Sequence, residues 1–130
     1  MAIFGIGAYY DGDDVSEEFI ADNIIGTGWT ITDAPELHEY FTTLKVGDIV
    51  YIKAAAFGSA DISVKGIGVI TDNIILTTAN HYLTQIGRNV RWLNTDKFVI
   101  PRPAEKNNVR SNTVYEEFHP VVQGEIIQRL

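Results

Sequence analysis

Two neighbouring segments constrain this chain more than any others. Residues 44–54 read Leu-Lys-Val-Gly-Asp-Ile-Val-Tyr-Ile-Lys-Ala, and residues 64–70 read Val-Lys-Gly-Ile-Gly-Val-Ile. The first is a β-strand entered through a Gly-Asp turn. Ile49, Tyr51 and Ala54 mix with Val50, Ile52 and Lys53, so both faces carry apolar groups and ask to be covered. Such a strand suits a small closed barrel better than a half-wet sheet. In the second segment Gly66 and Gly68 lie two apart and so share a face. Bare backbone there permits a sharp bend, or close approach by a ligand or another chain.

The chain has 130 residues, enough for one domain, residues 1–130, with a sizeable core. No apolar run approaches the ~20 residues of a membrane span, and the Met-Ala-Ile-Phe start lacks the basic region of a signal peptide. A cytoplasmic location with no membrane partner is therefore expected. The absence of cysteine excludes disulfides, thiolate metal sites and cysteine nucleophiles. The net charge of −7 is uneven: residues 1–44 hold nine acidic residues and no Lys or Arg, whereas residues 45–130 hold ten basic and eight acidic ones. The acidic third reads as a solubilising surface, and the remainder leaves room for a local basic pocket.

Along the chain the pattern predicts about six strands and three helices. Residues 3–9 read as a buried first strand. Asp13 or Asp14 is a plausible N-cap for a helix over residues 15–23, with Glu17 and Glu18 where the helix dipole favours them. Residues 24–31 are strand-like. Thr32 or Asp33 caps a second helix with Pro35 and Glu36 in its first turn, and Leu37, Tyr40, Phe41 and Leu44 form its apolar stripe. Residues 71–87 read as a mixed loop or short helix. Residues 90–93 and 97–100 form either a hairpin or one bulged strand. Residues 105–112 read as a loop, and His119-Pro120 opens a last helix running to Leu130.

The usual catalytic signatures are missing. There is no phosphate loop ending in Lys-Ser or Lys-Thr and no Gly-x-Ser-x-Gly elbow, and residues 4–8 hold too few glycines for a dinucleotide fingerprint. His38, His81 and His119 lie on different elements, so no metal site or cofactor is expected. Asp11, Asp13 and Asp14 resemble the start of a calcium loop, but the later ligands are out of register.

Aromatic and cationic residues carry more information. Tyr9, Tyr10, Trp29, Tyr51, Phe57, Tyr82 and Trp92 fall at or near strand ends, where rings stack on planar ligands. Trp92 reads as core and Trp29, beside Gly28, as a pocket wall. Tyr9 and Tyr10 are adjacent, so at most one faces a ligand. Lys53 lies on a strand that should be buried, where it either snorkels to water or meets an anion. Arg110, Asn112, Thr113 and Glu116 gather in one short stretch that either presents polar groups to a ligand or caps a helix, with Thr113 and Glu116 closing a capping box.

The order of an aromatic first strand, a Gly-Trp, an amphipathic helix leading to Val-Gly-Asp-Ile-Val-Tyr at 46–51, Gly-Ile-Gly-Val-Ile at 66–70 and Arg-Trp-Leu at 91–93 resembles the EVE branch of the PUA-like superfamily over residues 3–100. The resemblance implies an α+β fold, a PUA/EVE-like mixed β-barrel of five to six strands with flanking helices. It implies recognition of a modified or extruded base in an aromatic pocket. It also implies that Trp29 matches the pocket tryptophan and that Lys53 and Ala54 border the pocket. Family members often carry a small polar side chain or a histidine at that border, and Lys53 departs from this.

The resulting expectation is a non-catalytic module for a modified nucleobase or nucleotide derivative, extending to a standalone phage or bacterial protein that sequesters a nucleotide immune signal. Its expected site is Tyr9 or Tyr10, Trp29 and Lys53, with Arg110, Asn112 and Thr113 as polar contacts. A scaffold domain and a small nucleotide-processing enzyme are the alternatives, and a homo-oligomer is compatible with all three. Duplex DNA is not an expected partner, since an acidic chain without a basic stripe releases few counterions. Fluorescence anisotropy with arbitrary duplex at ~150 mM salt should show no sub-micromolar binding; sub-micromolar affinity would contradict this reading.

Overall fold

The structure is a computed structural model that describes residues 1–10, 13–54, 61–101 and 113–130, with Tyr10 described in its backbone only. It is an α+β fold. The strands are β1 (Ile3–Gly7), β2 (Tyr9–Tyr10), β3 (Asp13–Asp14), β4 (Ile24–Thr27), β5 (Ile49–Ala54), β6 (Ile62–Ile70), β7 (Ile86–Asn94), β8 (Phe98–Ile100) and β9 (Val114–Glu116); the helices are α1 (Ser16–Asp22), α2 (Pro35–Thr43) and α3 (Pro120–Gln128). The main sheet runs β4-β7-β6-β5-β1-β9, with β8 also paired to β6. Among the described strands only β1 and β5 pair in parallel; β2 and β3 form a separate two-stranded pair. The sheet curls into a half-barrel, consistent with the barrel-like α+β fold expected.

The Gly-Asp turn forms as its sequence predicts. Gly47 has φ +91°, a value glycine adopts without strain. The buried Asp48 carboxylate then accepts the Ala2 N–H at 3.1 Å and the Lys45 N–H at 2.8 Å, joining the start of the chain to the start of β5. Gly66 and Gly68 do share a purpose, and the partner is internal. A Cβ on Gly68 would sit 2.5 Å from Val90 Cγ1, and one on Gly66 would sit 3.4 Å from the Trp92 ring. The register steps past Lys65 on β6 and past Leu93 on β7, so two bulges bend the sheet here.

Several expectations change. Of the two alternatives for residues 90–93 and 97–100, the single irregular strand holds and the hairpin does not: β7 and β8 both pair antiparallel with β6 and not with each other. The strand expected over 24–31 stops at Thr27. Residues 71–85 form no helix; Leu76 makes an isolated bridge to Gly87. Neither α1 nor α2 has a side-chain cap, since their N-caps are Val15 and Ala34. Asp14 instead accepts the Ser16 N–H and pairs with Lys65. Burial alone would raise the Asp14 pKa, but these hydrogen bonds outweigh it and hold the carboxyl below its usual value. The capping box fails because Val114–Glu116 is a strand. The last helix does begin behind His119, whose Nδ1 accepts the Val121 N–H at 3.2 Å.

Alternation along the strands builds a core on each side of the sheet. Phe4, Ile6, Val50, Ile52 and Val114 pack with Phe19 of α1 and Phe41 of α2. Ile3, Ile49, Tyr51 and Tyr115 pack with Val122 and Ile126 of α3 on the opposite side.

One charged side chain holds this arrangement together. Arg88 of β7 is fully buried. Its Nη1 donates to the carbonyls of Phe41 (2.8 Å) and Leu44, and its Nη2 donates to the Asp72 carbonyl at 2.7 Å. Phe41 and Leu44 end α2, where unpaired carbonyls and the helix dipole favour a cation. Burial lowers the Arg88 pKa from its ordinary value, and the charges of Asp72 and Asp48 oppose that shift. Arg88→Met keeps the bulk but removes the donors. It should cost about 3–5 kcal/mol in urea denaturation; a loss below ~0.5 kcal/mol would show that the clamp contributes nothing.

Candidate functional site

β4 ends at Thr27, whose hydroxyl oxygen accepts the Trp29 N–H at 3.2 Å and turns the chain outward. The loop then closes on itself, with Asp33 and Ala34 N–H groups donating to the Thr30 carbonyl at 3.2 and 2.9 Å. Pro35 starts α2, its fixed φ suited to the first helical position. One turn on, His38 Nε2–H donates to the Trp29 carbonyl at 2.8 Å, which tethers the loop to the helix and places the ring proton on Nε2.

These elements and the start of β9 enclose an open cleft of about 440 Å³, lined by Trp29, Asp33, Ala34, Glu36, Leu37, Tyr40, Thr113 and Val114. That volume is in the range of small-molecule sites. Trp29 is 55% exposed, while Tyr40 is half-buried and meets Phe4 edge to face at 6.4 Å between centroids. The cleft thus offers a free indole, a fixed phenol and an aliphatic floor.

Of the residues singled out from sequence, Trp29 and Thr113 come together here. Lys53 is not among the lining residues, although its Cε and the Thr113 backbone both lie within 4 Å of the point that a Cβ on Gly7 would take. Its Nζ sits 5.7 Å from the centre of the Tyr115 ring. Tyr115 belongs to the α3-side core, and the adjacent Val114 faces the cleft side. Lys53 therefore extends across the other face of the sheet, where burial holds its ammonium below the ordinary lysine value. The reason is parity: β5 keeps its alternation, so Lys53 shares a face with Tyr51 and Ile49. Tyr9 is 63% exposed on the β2–β3 pair and does not line the cleft. The Tyr10 side chain, Phe57, Arg110, Asn112 and the loop expected over 105–112 lie outside the described residues. Trp92 is half-buried, its indole N–H donating to the Phe19 carbonyl at 3.0 Å, in keeping with its reading as core. Tyr82 is exposed and stacked on His81, whose Nε2 lies 2.7 Å from an Asp22 carboxylate oxygen.

Sequence reasoning missed the polar centre of the opposite face. The Tyr51 hydroxyl donates to Glu117 Oε1 at 2.8 Å and lies 2.7 Å from the Tyr115 hydroxyl. Tyr51 has one proton to give, so Tyr115 is the donor in the second bond. Glu117 Oε2 accepts the His119 N–H at 3.2 Å, which ties the network to the start of α3. The signal was available: Tyr51 and Tyr115 are hydroxyl-bearing rings in otherwise apolar strands, and a buried hydroxyl needs a partner.

Among the described residues no group of three His, Asp or Glu side chains is placed to hold a metal ion, and no helix is long and apolar enough to cross a membrane. No protein-family model matches the chain, and no curated protein matches it.

The Tyr51 phenol is pushed up from its ordinary value of 10.0, chiefly by burial and further by Tyr115 and Glu117. A raised folded-state pKa means that its contribution to stability is complete below about pH 10 and is lost as pH rises beyond that. Tyr51→Phe should lower stability at pH 7 by about 1–3 kcal/mol, and the gap from the parent should narrow above pH 10. Lys53 titrates in both proteins and so cancels in the comparison. Chemical denaturation across pH reads both effects; a gap that is constant with pH would contradict the assignment.

Proposed function

We propose that this chain is a non-catalytic binding module whose Trp29 cleft takes a planar, nucleobase-like ligand, and that it is kin to the PUA/EVE-like base readers its sequence resembles. The observation that carries the reading is the exposed Trp29 indole in a cleft of about 440 Å³ that Tyr40 also lines. Keeping an indole in water forgoes the burial that most tryptophans achieve, and stacking a ring on it recovers that area. The curled, mostly antiparallel sheet with its Gly-Asp turn supports the kinship. Binding of a modified base or nucleoside needs no acid–base pair at the cleft. A binding module of this kind would act by sequestering its ligand, and a nucleotide-derived signal is one such ligand.

A protein-interaction role is the second reading. It is favoured by Phe118 and Val121, both well exposed at the start of α3.

Titration with purine and pyrimidine nucleosides, followed by tryptophan fluorescence and calorimetry, tests the proposal. Trp29→Ala should weaken binding by about 1–3 kcal/mol, the range for one stacked base. Lys53→Ala should leave it unchanged, because that side chain lies on the far face. Binding that survives Trp29→Ala in a folded variant, or that falls with Lys53→Ala, would move the site elsewhere.

A further inference from the structure

The charge of the cleft narrows its ligand. This step rests on the reading of the Trp29 cleft as a ring-binding site and names the class of ring. Two of the lining residues, Asp33 and Glu36, are carboxylates, and none of the described lining residues is a cation. Both acids are exposed, and the hydrogen bond from Asp33 to the Thr30 hydroxyl uses its backbone N–H and not its carboxylate.

Among the described residues a phosphate finds little to hold it here. The N-terminus of α2 would ordinarily attract one through free N–H groups and its dipole. Instead the Asp33 and Ala34 N–H groups are taken by the Thr30 carbonyl, Pro35 has none, and Glu36 already sets a negative charge on the first turn. The Lys53 ammonium stands on the opposite face of the sheet. A cation, by contrast, meets three favourable groups in one place: two carboxylates and the electron-rich face of an indole. A cation over an indole is attracted by the ring quadrupole, most strongly where water is excluded. If the positive charge is spread over the ligand ring itself, one molecule satisfies the indole by stacking and the carboxylates by charge.

We infer that the Trp29 cleft selects planar heterocycles that carry a delocalised positive charge, such as N-methylated purines, over neutral and phosphorylated counterparts. Asp33 and Glu36 set the charge preference, and Trp29 supplies affinity common to all rings.

Calorimetry with 1-methyladenosine (a cation at neutral pH), adenosine (neutral) and adenosine monophosphate (anionic) tests this. The full chain should bind 1-methyladenosine about tenfold more tightly than adenosine, and the monophosphate most weakly. The Asp33→Asn, Glu36→Gln double variant alters only exposed side chains and should fold as the parent does. It should bring the 1-methyladenosine preference close to unity while adenosine affinity holds. Added salt should weaken 1-methyladenosine binding and leave adenosine binding nearly unchanged. If adenosine or the monophosphate binds as tightly as 1-methyladenosine, and Trp29→Ala abolishes that binding, the charge inference falls while the ring-binding site stands. If none of the three binds, both fall. A cation preference that survives the double variant would also overturn the inference, since the charge would then be read elsewhere.

Discussion

The buried Arg88 guanidinium is the interaction on which the rest of the structure depends. A charge taken fully out of water is costly unless its hydrogen bonds are met. Here the two terminal nitrogens meet carbonyls from α2 and from the segment after β6, places far apart in sequence, while Nε is buried with no hydrogen-bond partner among the described residues. The α2 carbonyls need it in return, because the last turn of a helix has no internal partners for them. Part of that last turn is met locally, with the Thr43 hydroxyl and the Leu44 N–H both donating to the Tyr40 carbonyl. Arg88 meets the part that faces the sheet. The result fixes one end of α2 over the curled strands.

The cleft follows from that anchoring. With its C-terminal end held, α2 lays Phe41 into the core and Leu37 and Tyr40 along the cleft wall. His38, on the same helix, reaches back to the Trp29 carbonyl and holds the loop whose indole faces water. The two faces of the sheet then divide their work. The α1–α2 face carries the open cleft with its carboxylates. The α3 face carries a closed network of Tyr51, Tyr115 and Glu117, whose hydroxyl protons are spent on one another and on a carboxylate. Close packing there is strict, since a Cβ on Gly5 would run into the Tyr115 ring.

Local patterns were legible in the sequence, and long-range partnerships were not. The Gly-Asp turn, the apolar stripe of α2 and the His119 start of α3 each rest on residues a few positions apart, and each formed. Arg88 could not be read. Inside Gly-Arg-Asn-Val it looks like an ordinary polar strand residue, and its partners are backbone carbonyls that leave no mark on sequence. Gly66 and Gly68 correctly signalled close approach, but the approaching groups, Val90 and Trp92, come from a strand some 20 residues on. Trp29 was legible as a pocket wall because a tryptophan beside glycine at a strand end has little core to enter. Lys53 was misplaced because its position along the strand was weighed and its parity with Tyr51 was not. The capping box at Thr113 and Glu116 satisfied a local rule that strand pairing with β1 overrode.

The most direct test of the account is where a bound ring sits. Isotope-labelled protein titrated with a nucleoside and followed by NMR chemical shifts reads this without mutation. The account predicts the largest changes at the Trp29 indole and at Leu37, Tyr40 and Val114, with the Trp92 indole and the Tyr115 face undisturbed. Changes centred on Lys53 and Tyr115, or saturable binding that leaves the Trp29 indole signal in place, would contradict it.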